Sequence, residues 1–151
     1  MKLSLIFSDI EAGAGTVTDD FIEEELLCNT IKSHFEESNN QPSDLILNGD
    51  TFDFMKCPYR KGYPKYITEK VSLAKLNNMH KAHKPFFNTL KEWINLNETN
   101  RIIFIYGNHD FDLVFPKVQI KLKDIIAGKE KSKLKRVVIS DFEFKDHSLL
   151  V

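Results

Sequence analysis

The chain has 151 residues, of which 42% are hydrophobic and 28% charged, and this composition is ordinary for a globular protein with one buried core. The net charge of -1 gives no electrostatic reason to expect nucleic acid or an anionic membrane as an obligate partner. Two cysteines are too few for a disulfide framework or a cysteine zinc site, and no apolar run is long enough to span a bilayer, so we expect a cytoplasmic protein.

The first third of the chain alternates strand-like and helical patterns. A strand is predicted at 2–8, followed by a glycine-containing loop and a helix capped by Thr18 or Asp19. The apolar stripe of this helix repeats at helical spacing and comprises Ile22, Leu26, Leu27, Ile31 and Phe35. A second strand is predicted at 44–47 after a short return loop.

The rest of the chain continues the alternation. A long irregular connection leads to a helical pattern at 69–96, which we expect to break before Pro85. The later predicted elements are a strand at 101–106, a helix at 116–127 capped by Gly128, and strands at 136–139 and 143–151. Strand–helix alternation predicts an α/β fold in one domain, 1–151, with a mostly parallel sheet and helices on its faces.

Three of the predicted strands end on side chains suited to binding metal ions. Asp9 and Glu11 follow the first strand, Gly49-Asp50-Thr51-Phe52-Asp53 follows the second, and Gly107-Asn108-His109-Asp110 follows the third. Ligands of open α/β sheets collect at the carboxyl ends of the strands, so we expect these groups to converge. Asp9 and Glu11 alternate along the chain, and both can enter one site only if the loop bends there.

The residue types suggest distinct roles. The Asp50 carboxylate can bridge two cations because its two oxygens offer four lone pairs, and Asn108 adds a neutral amide oxygen. His109 can either bind metal or carry a proton, and Asp53 can orient it. Each motif alone also fits a turn or a helix cap. Their joint placement at three strand ends favours a metal-assisted hydrolase.

These motifs resemble those of a known family. The first three motifs of the calcineurin-like metallophosphoesterases resemble Ser8-Asp9-Ile10-Glu11, the 49–53 segment and the 107–110 segment. The longer segments 47–50 and 107–113 are similar to the bacterial branch of this family that includes UDP-diacylglucosamine pyrophosphohydrolases. The resemblance implies a β-sandwich flanked by helices and a site for two divalent metal ions. We expect these ions to be Mn, and Fe, Zn or Mg are the alternatives. The resemblance implies hydrolysis of small phosphate monoesters, phosphodiesters or nucleotide pyrophosphates.

The resemblance also implies roles for individual residues. Asp9 would bind the first metal ion, Asn108 would bind the second, and Asp50 would bridge the two ions. His109 would act near the leaving group, and Asp53 would support His109. Glu11 stands where the family has histidine. A carboxylate there would bind metal with a preference for Mn- or Mg-like ions.

The family pattern continues with further histidine motifs that complete both metal shells. The resemblance covers nearly the whole chain, which corresponds to the N-terminal portion of the family's pattern. We therefore expect a completing C-terminal segment or chain. The alternatives are a catalytically inactive scaffold of the same fold, or half of a split enzyme. A large exposed apolar patch would favour truncation or a split enzyme, whereas a closed polar surface would favour a self-sufficient domain. His80 and His83 lack a third ligand and are predicted to lie at the surface.

Overall fold

Four parallel strands form one sheet in the order β1-β2-β3-β4. The structure is a computed structural model and describes residues 2–140. The strands are β1 (Leu3–Phe7), β2 (Ser43–Asn48), β3 (Arg101–Ile105) and β4 (Val137–Ser140). Each neighbouring pair is parallel, so the predicted α/β fold with a parallel sheet is confirmed. The strand predicted at 143–151 lies outside the described residues.

The helices connect successive strands. They are α1 (Glu24–Glu37), α2 (Glu69–Ala82), α3 (Lys84–Leu96), α4 (Pro116–Ala127) and the single turn α5 (Lys131–Leu134), with a 3-10 turn at Phe111–Val114. The predicted break before Pro85 is confirmed, since proline sits in the first turn of α3, where no intrahelical N–H is required. Gly128 ends α4 with φ 64, as predicted. Within residues 2–140, no helix combines the length and the apolar character needed to cross a bilayer.

The predicted start of the first helix is wrong. Helix α1 begins at Glu24, because the Asp19 carboxylate is engaged by backbone N–H groups of the surrounding loop and does not cap a helix. Thr18 is also engaged elsewhere, since its hydroxyl lies within hydrogen-bond distance of the Lys56 carbonyl. Ile22 precedes α1 and is 82% exposed, and Leu26 within α1 is 63% exposed. Neither residue belongs to the buried stripe of α1.

The core lies on one face of the sheet. Leu45, Leu47, Ile102 and Phe104 point from the central strands into a cluster that includes buried side chains of α1, α2, α3 and α4. Right-handed crossovers between strands in sequential order place every connecting helix on the same side. The helices therefore form a single layer over this face.

The opposite face of the sheet is apolar and partly exposed. Ile6, Ile46, Ile103 and Val138 are register neighbours across all four strands, and none belongs to the core cluster. Ile6 is 59% exposed. Parallel sheets ordinarily have both faces covered. In the part of the chain that the structure describes, this row is the apolar patch that a second layer would cover, and we call it the open-face row.

Candidate functional site

Three residues at the strand ends adopt left-handed backbone conformations. Asp9 and Glu11 follow β1 with φ 54 and 53, and Asp50 follows β2 with φ 49. Such conformations cost about 1–2 kcal/mol for residues other than glycine and persist only where the surroundings hold them. They supply the bend that lets the chain after β1 turn Glu11 toward the site.

The loops after β1 and β2 stay paired beyond the sheet. The Glu11 N–H donates to the Asp50 carbonyl at 2.8 Å, and the Ala12 N–H donates to the Thr51 carbonyl at 3.0 Å. In return, the Asp53 N–H donates to the Ala12 carbonyl at 3.0 Å. Because this pairing continues the strand register, Glu11 and Asp53 come to lie side by side.

The loop after β3 is tied to the Asp50 carboxylate. Asp50 Oδ1 accepts a hydrogen bond from the His109 N–H at 2.8 Å, and the His109 carbonyl accepts from the Phe54 N–H at 3.1 Å. A Cβ on Gly107 would stand 2.3 Å from Asp50 Oδ1, so only glycine allows this approach. One oxygen of Asp50 thus positions the backbone of the loop that carries His109.

Asp110 is a buried carboxylate that links the loop after β2 to the loop after β3. Its Oδ1 accepts from the Gly107 N–H at 2.6 Å, and its Oδ2 accepts from the N–H groups of Thr51 and Phe52 at 2.8 and 3.4 Å. Burial raises the pKa of Asp110 to about 6, against the opposing effect of these backbone donors. No role is predicted for Asp110 from the sequence. Its place in the Gly107–Asp110 motif, beside Asn108 and His109, is the sequence feature that points to it.

Glu11, Asp53 and His109 converge from the three loops. One ligand atom from each lies within 4.8 Å of the others, an arrangement that could hold a metal ion. Asp53 is almost fully buried, and its Oδ2 lies 3.3 Å from His109 Nδ1. Both atoms are buried, and neither makes a hydrogen bond to any residue that the structure describes. Buried polar atoms of this kind usually have a partner, so the pair has unused capacity to bind a ligand.

The structure separates the six predicted site residues into two sets. It brings together Glu11, Asp53 and His109. Asp50 is adjacent to them through its hydrogen bond to the His109 backbone, but it is not part of the convergent group. Asp9 and Asn108 are exposed at the same edge of the sheet. The metal-binding roles of Asp9, Glu11, Asp50 and Asn108, and the catalytic roles of Asp53 and His109, stay predictions.

Lys56 places an ammonium group beside the same carboxylates. Its Nζ lies 3.1 Å from Glu11 Oε2 and 3.2 Å from Asp53 Oδ2, and it also pairs with Asp20. Hydrogen bonds to Asp20 and Glu11, together with the negative charge of Asp53, raise the pKa of Lys56 above its ordinary value. Lys56 is not among the predicted site residues, although its position three residues after Asp53 places it in the turn that the motif opens.

A second polar cluster shapes the loop that carries Glu11. The Asp19 carboxylate accepts hydrogen bonds from the backbone of Gly13, Gly15 and Phe21. Its Oδ2 also lies 2.8 Å from His83 Nε2, at the junction of α2 and α3. Burial alone would raise the pKa of Asp19, but these hydrogen bonds together hold it below its ordinary value.

His83 is buried, so its predicted surface position is wrong; His80 is half-buried.

The assembled site offers two carboxylates and an imidazole at the carboxyl ends of parallel strands, next to one ammonium group. Carboxylate and imidazole ligands suit ions such as Mn, Fe and Zn. Ligands of open α/β sheets bind at this edge. Comparison with known proteins finds no matching family model, no matching curated protein and no matching solved structure.

Proposed function

We propose that the protein is a metal-dependent phosphoesterase that hydrolyses small phosphorylated substrates, with Glu11, Asp53 and His109 holding a divalent cation. The observation that carries this proposal is the convergence of these three side chains within 4.8 Å, each from a loop at a different strand end. The motif resemblance to calcineurin-like metallophosphoesterases supplies the reaction class. Together they favour phosphate ester hydrolysis over a purely structural role.

The side chains fit such a cation. Asp53 Oδ2 and His109 Nδ1 are buried without hydrogen bonds to residues 2–140, and Glu11 is strained in the left-handed region at the edge of the same group. Strained residues cluster at sites where the surrounding structure uses them. A bound divalent cation would act as a Lewis acid and stabilise negative charge on the phosphoryl oxygens.

The remaining strand-end residues would support this chemistry. Asp50 fixes the backbone of His109 through its hydrogen bond to the His109 N–H, and so holds the imidazole beside the other two ligands. In a dinuclear site of the kind that the resemblance implies, Asp9, Asp50 and Asn108 would be the ligands available for a second cation. Asp9 and Asn108 are exposed to solvent at that edge.

The open-face row supports the finer proposal about the fold. The proposed architecture is a metallophosphoesterase-like sandwich, in which a second layer packs against the face on which residues 2–140 place no helix. Ile6, Ile46, Ile103 and Val138 form an apolar row on that face. An apolar row suits burial under such a layer.

The test is Mn-stimulated hydrolysis of p-nitrophenyl phosphate and bis-(p-nitrophenyl) phosphate, which separates monoesterase from diesterase activity. We expect Glu11→Gln and Asp53→Asn each to lower the metal-stimulated rate by about 100-fold, because each removes a charged ligand. Asp124→Asn is the matched control, since it changes an exposed carboxylate on α4 and should leave the rate unchanged.

Two outcomes would contradict the proposal. Activity that survives in both Glu11→Gln and Asp53→Asn would contradict the metal site, and parallel assays of Asp9→Asn and Asn108→Ala would then show whether the family-implied ligands act instead. An absence of metal-stimulated hydrolysis in the unaltered chain would contradict phosphoesterase activity for this chain, and it would favour the scaffold alternative.

A further inference from the structure

We propose that Lys56 is a built-in counter-cation of the site, which competes with the divalent cation for Glu11 and Asp53 and keeps only Asp20 as its partner when that cation binds. The inference rests on the metal site of the proposed function. It adds a residue outside the motifs that carry the resemblance. It also predicts that metal affinity is limited by an exchange between two cations of the same site.

The ammonium group and the convergent ligand group share atoms. Lys56 Nζ lies 3.2 Å from Asp53 Oδ2, the same oxygen that faces His109 Nδ1 at 3.3 Å. It also lies 3.1 Å from Glu11 Oε2. A divalent ion bound to these oxygens would stand about 4 Å from the ammonium, where like charges repel by about 1 kcal/mol per unit charge pair even in water. Each cation therefore weakens the binding of the other at this position.

The charges around Lys56 are unbalanced. Its ammonium pairs with the carboxylates of Glu11, Asp20 and Asp53, so three negative groups face one positive group and two negative charges stay uncompensated. Within the described part of the chain, Asp53 Oδ2 makes no hydrogen bond even though it lies at ion-pair distance from Lys56. A divalent cation would balance the excess charge, which one ammonium cannot do.

The local structure allows the exchange. The Lys56 N–H donates to Asp53 Oδ1 at 2.9 Å, which fixes the backbone of Lys56 at the edge of the site. Its side chain is 37% exposed and has a flexible four-carbon stem, so the ammonium can move while the backbone stays in place. Asp20 is 62% exposed on the solvent side. A displaced ammonium therefore keeps one carboxylate partner.

The experiment is calorimetric titration of the full chain with Mn²⁺ after treatment with a chelator. We expect Lys56→Met to bind Mn²⁺ about tenfold more tightly than the unaltered chain, because the competing cation is gone and the aliphatic stem is kept. The matched control is Lys61→Met, which removes an exposed cation from the same connection and should change the affinity by less than about twofold.

Folding is checked separately, because removal of Lys56 leaves a buried carboxylate without its ion pair. Lys56→Gln is the second variant, and thermal melting is recorded for each protein with and without Mn²⁺. We expect the increase in melting temperature on adding Mn²⁺ to be larger for both Lys56 variants than for the unaltered chain. An equal increase would overturn the inference.

The outcomes separate this inference from the proposed function. If the unaltered chain binds Mn²⁺ and the Lys56 variants bind it equally or more weakly, the counter-cation role is overturned and the metal site stands. If none of the proteins binds Mn²⁺, the metal site is overturned and this inference falls with it.

The role of Asp20 is tested by a double-mutant cycle. Asp20→Asn should weaken Mn²⁺ binding more in the unaltered chain than in Lys56→Met, because Asp20 holds the displaced ammonium only when Lys56 is present. Equal effects in both backgrounds would overturn the role of Asp20 as the partner that the displaced Lys56 keeps.

Discussion

Asp110 shows how one buried carboxylate holds two loops of the site together. Its two oxygens accept backbone N–H groups of Gly107 on one side and of Thr51 and Phe52 on the other. These donors lie in segments separated by more than fifty positions, since the Thr51 bond spans 59 residues. The loop after β2 and the loop after β3 therefore depend on a residue that itself need not touch metal or substrate.

We expect Asp110→Asn to lower the free energy of unfolding by about 1–3 kcal/mol, because an amide NH₂ group would face a backbone N–H and leave it without an acceptor. Urea denaturation at neutral pH measures the effect. Asp124→Asn is the control, because it makes the same change at an exposed position of α4. Equal unfolding midpoints for Asp110→Asn and the unaltered chain would show that the two loops do not need this carboxylate.

The residues that could be predicted are those that carry their own local signal. Glu11, Asp53 and His109 follow strand-like runs, so the sequence indicates both their chemistry and their place at one edge of the sheet. His83 has no such signal, because its partners Asp19 and Glu24 lie in a distant segment. Lys56 has only its place in the turn after Asp53, since Glu11 and Asp20 lie far away along the chain. Their roles depend on how the loops bend, and that bending comes from backbone hydrogen bonds between loops.

At the scale of elements, the Asp19–His83 pair links the loop after β1 to the junction of α2 and α3. Asp19 Oδ2 lies 2.8 Å from His83 Nε2, and His83 Nδ1 lies 3.5 Å from Glu24 Oε1 at the start of α1. The loop that carries Glu11 is thus braced against three helices. This bracing explains why α1 starts later than the sequence predicts, since Asp19 serves the loop and not the helix.

The same pair predicts how stability depends on pH. The hydrogen bonds of Asp19 hold its pKa below the ordinary value of 3.8, so its ionised form stabilises the fold. The contribution is fully present above that ordinary value and is lost as the pH falls through the lower pKa of the folded state. We expect Asp19→Asn to lower the free energy of unfolding at pH 7 by about 1–3 kcal/mol and to flatten its decline below about pH 4.

Denaturation curves measured between pH 3 and pH 7 test this expectation. Glu23→Gln is the matched control, because Glu23 is an exposed carboxylate next to α1. A decline below pH 4 that is equally steep in Asp19→Asn, Glu23→Gln and the unaltered chain would contradict the role of Asp19. His83 contacts both Asp19 and Glu24, so the curve of a His83→Asn variant separates the contribution of this contact from that of the backbone hydrogen bonds of Asp19.

At the scale of the whole molecule, the order of elements determined more of the fold than any single residue. Alternating strands and helices predict a parallel sheet, and strands in sequential order place the helices in one layer. The apolar character of β2 and β3 is compatible with burial on one face or on both. Whether a second layer covers Ile46 and Ile103 cannot be read from such a run, because periodicity does not distinguish the two cases.

The open-face row makes a prediction about the surface of the molecule. An accessible apolar row should bind the dye 8-anilinonaphthalene-1-sulfonate, and we expect Ile6→Thr combined with Val138→Thr to reduce the dye fluorescence markedly. Threonine keeps the β-branched shape that suits strands, so the sheet should persist. Ile120→Thr is the matched control, since Ile120 on α4 is 58% exposed and Ile6 is 59% exposed.

The comparison of the two variants isolates the arrangement of apolar side chains from their exposure. Ile120 is an exposed isoleucine on a helix, whereas Ile6 extends a row that continues through Ile46 and Ile103. If the dye binds the row, only the sheet variant loses fluorescence. Equal fluorescence from both variants would mean that this face is covered in solution, and the sheet would then already have the second layer that parallel sheets require.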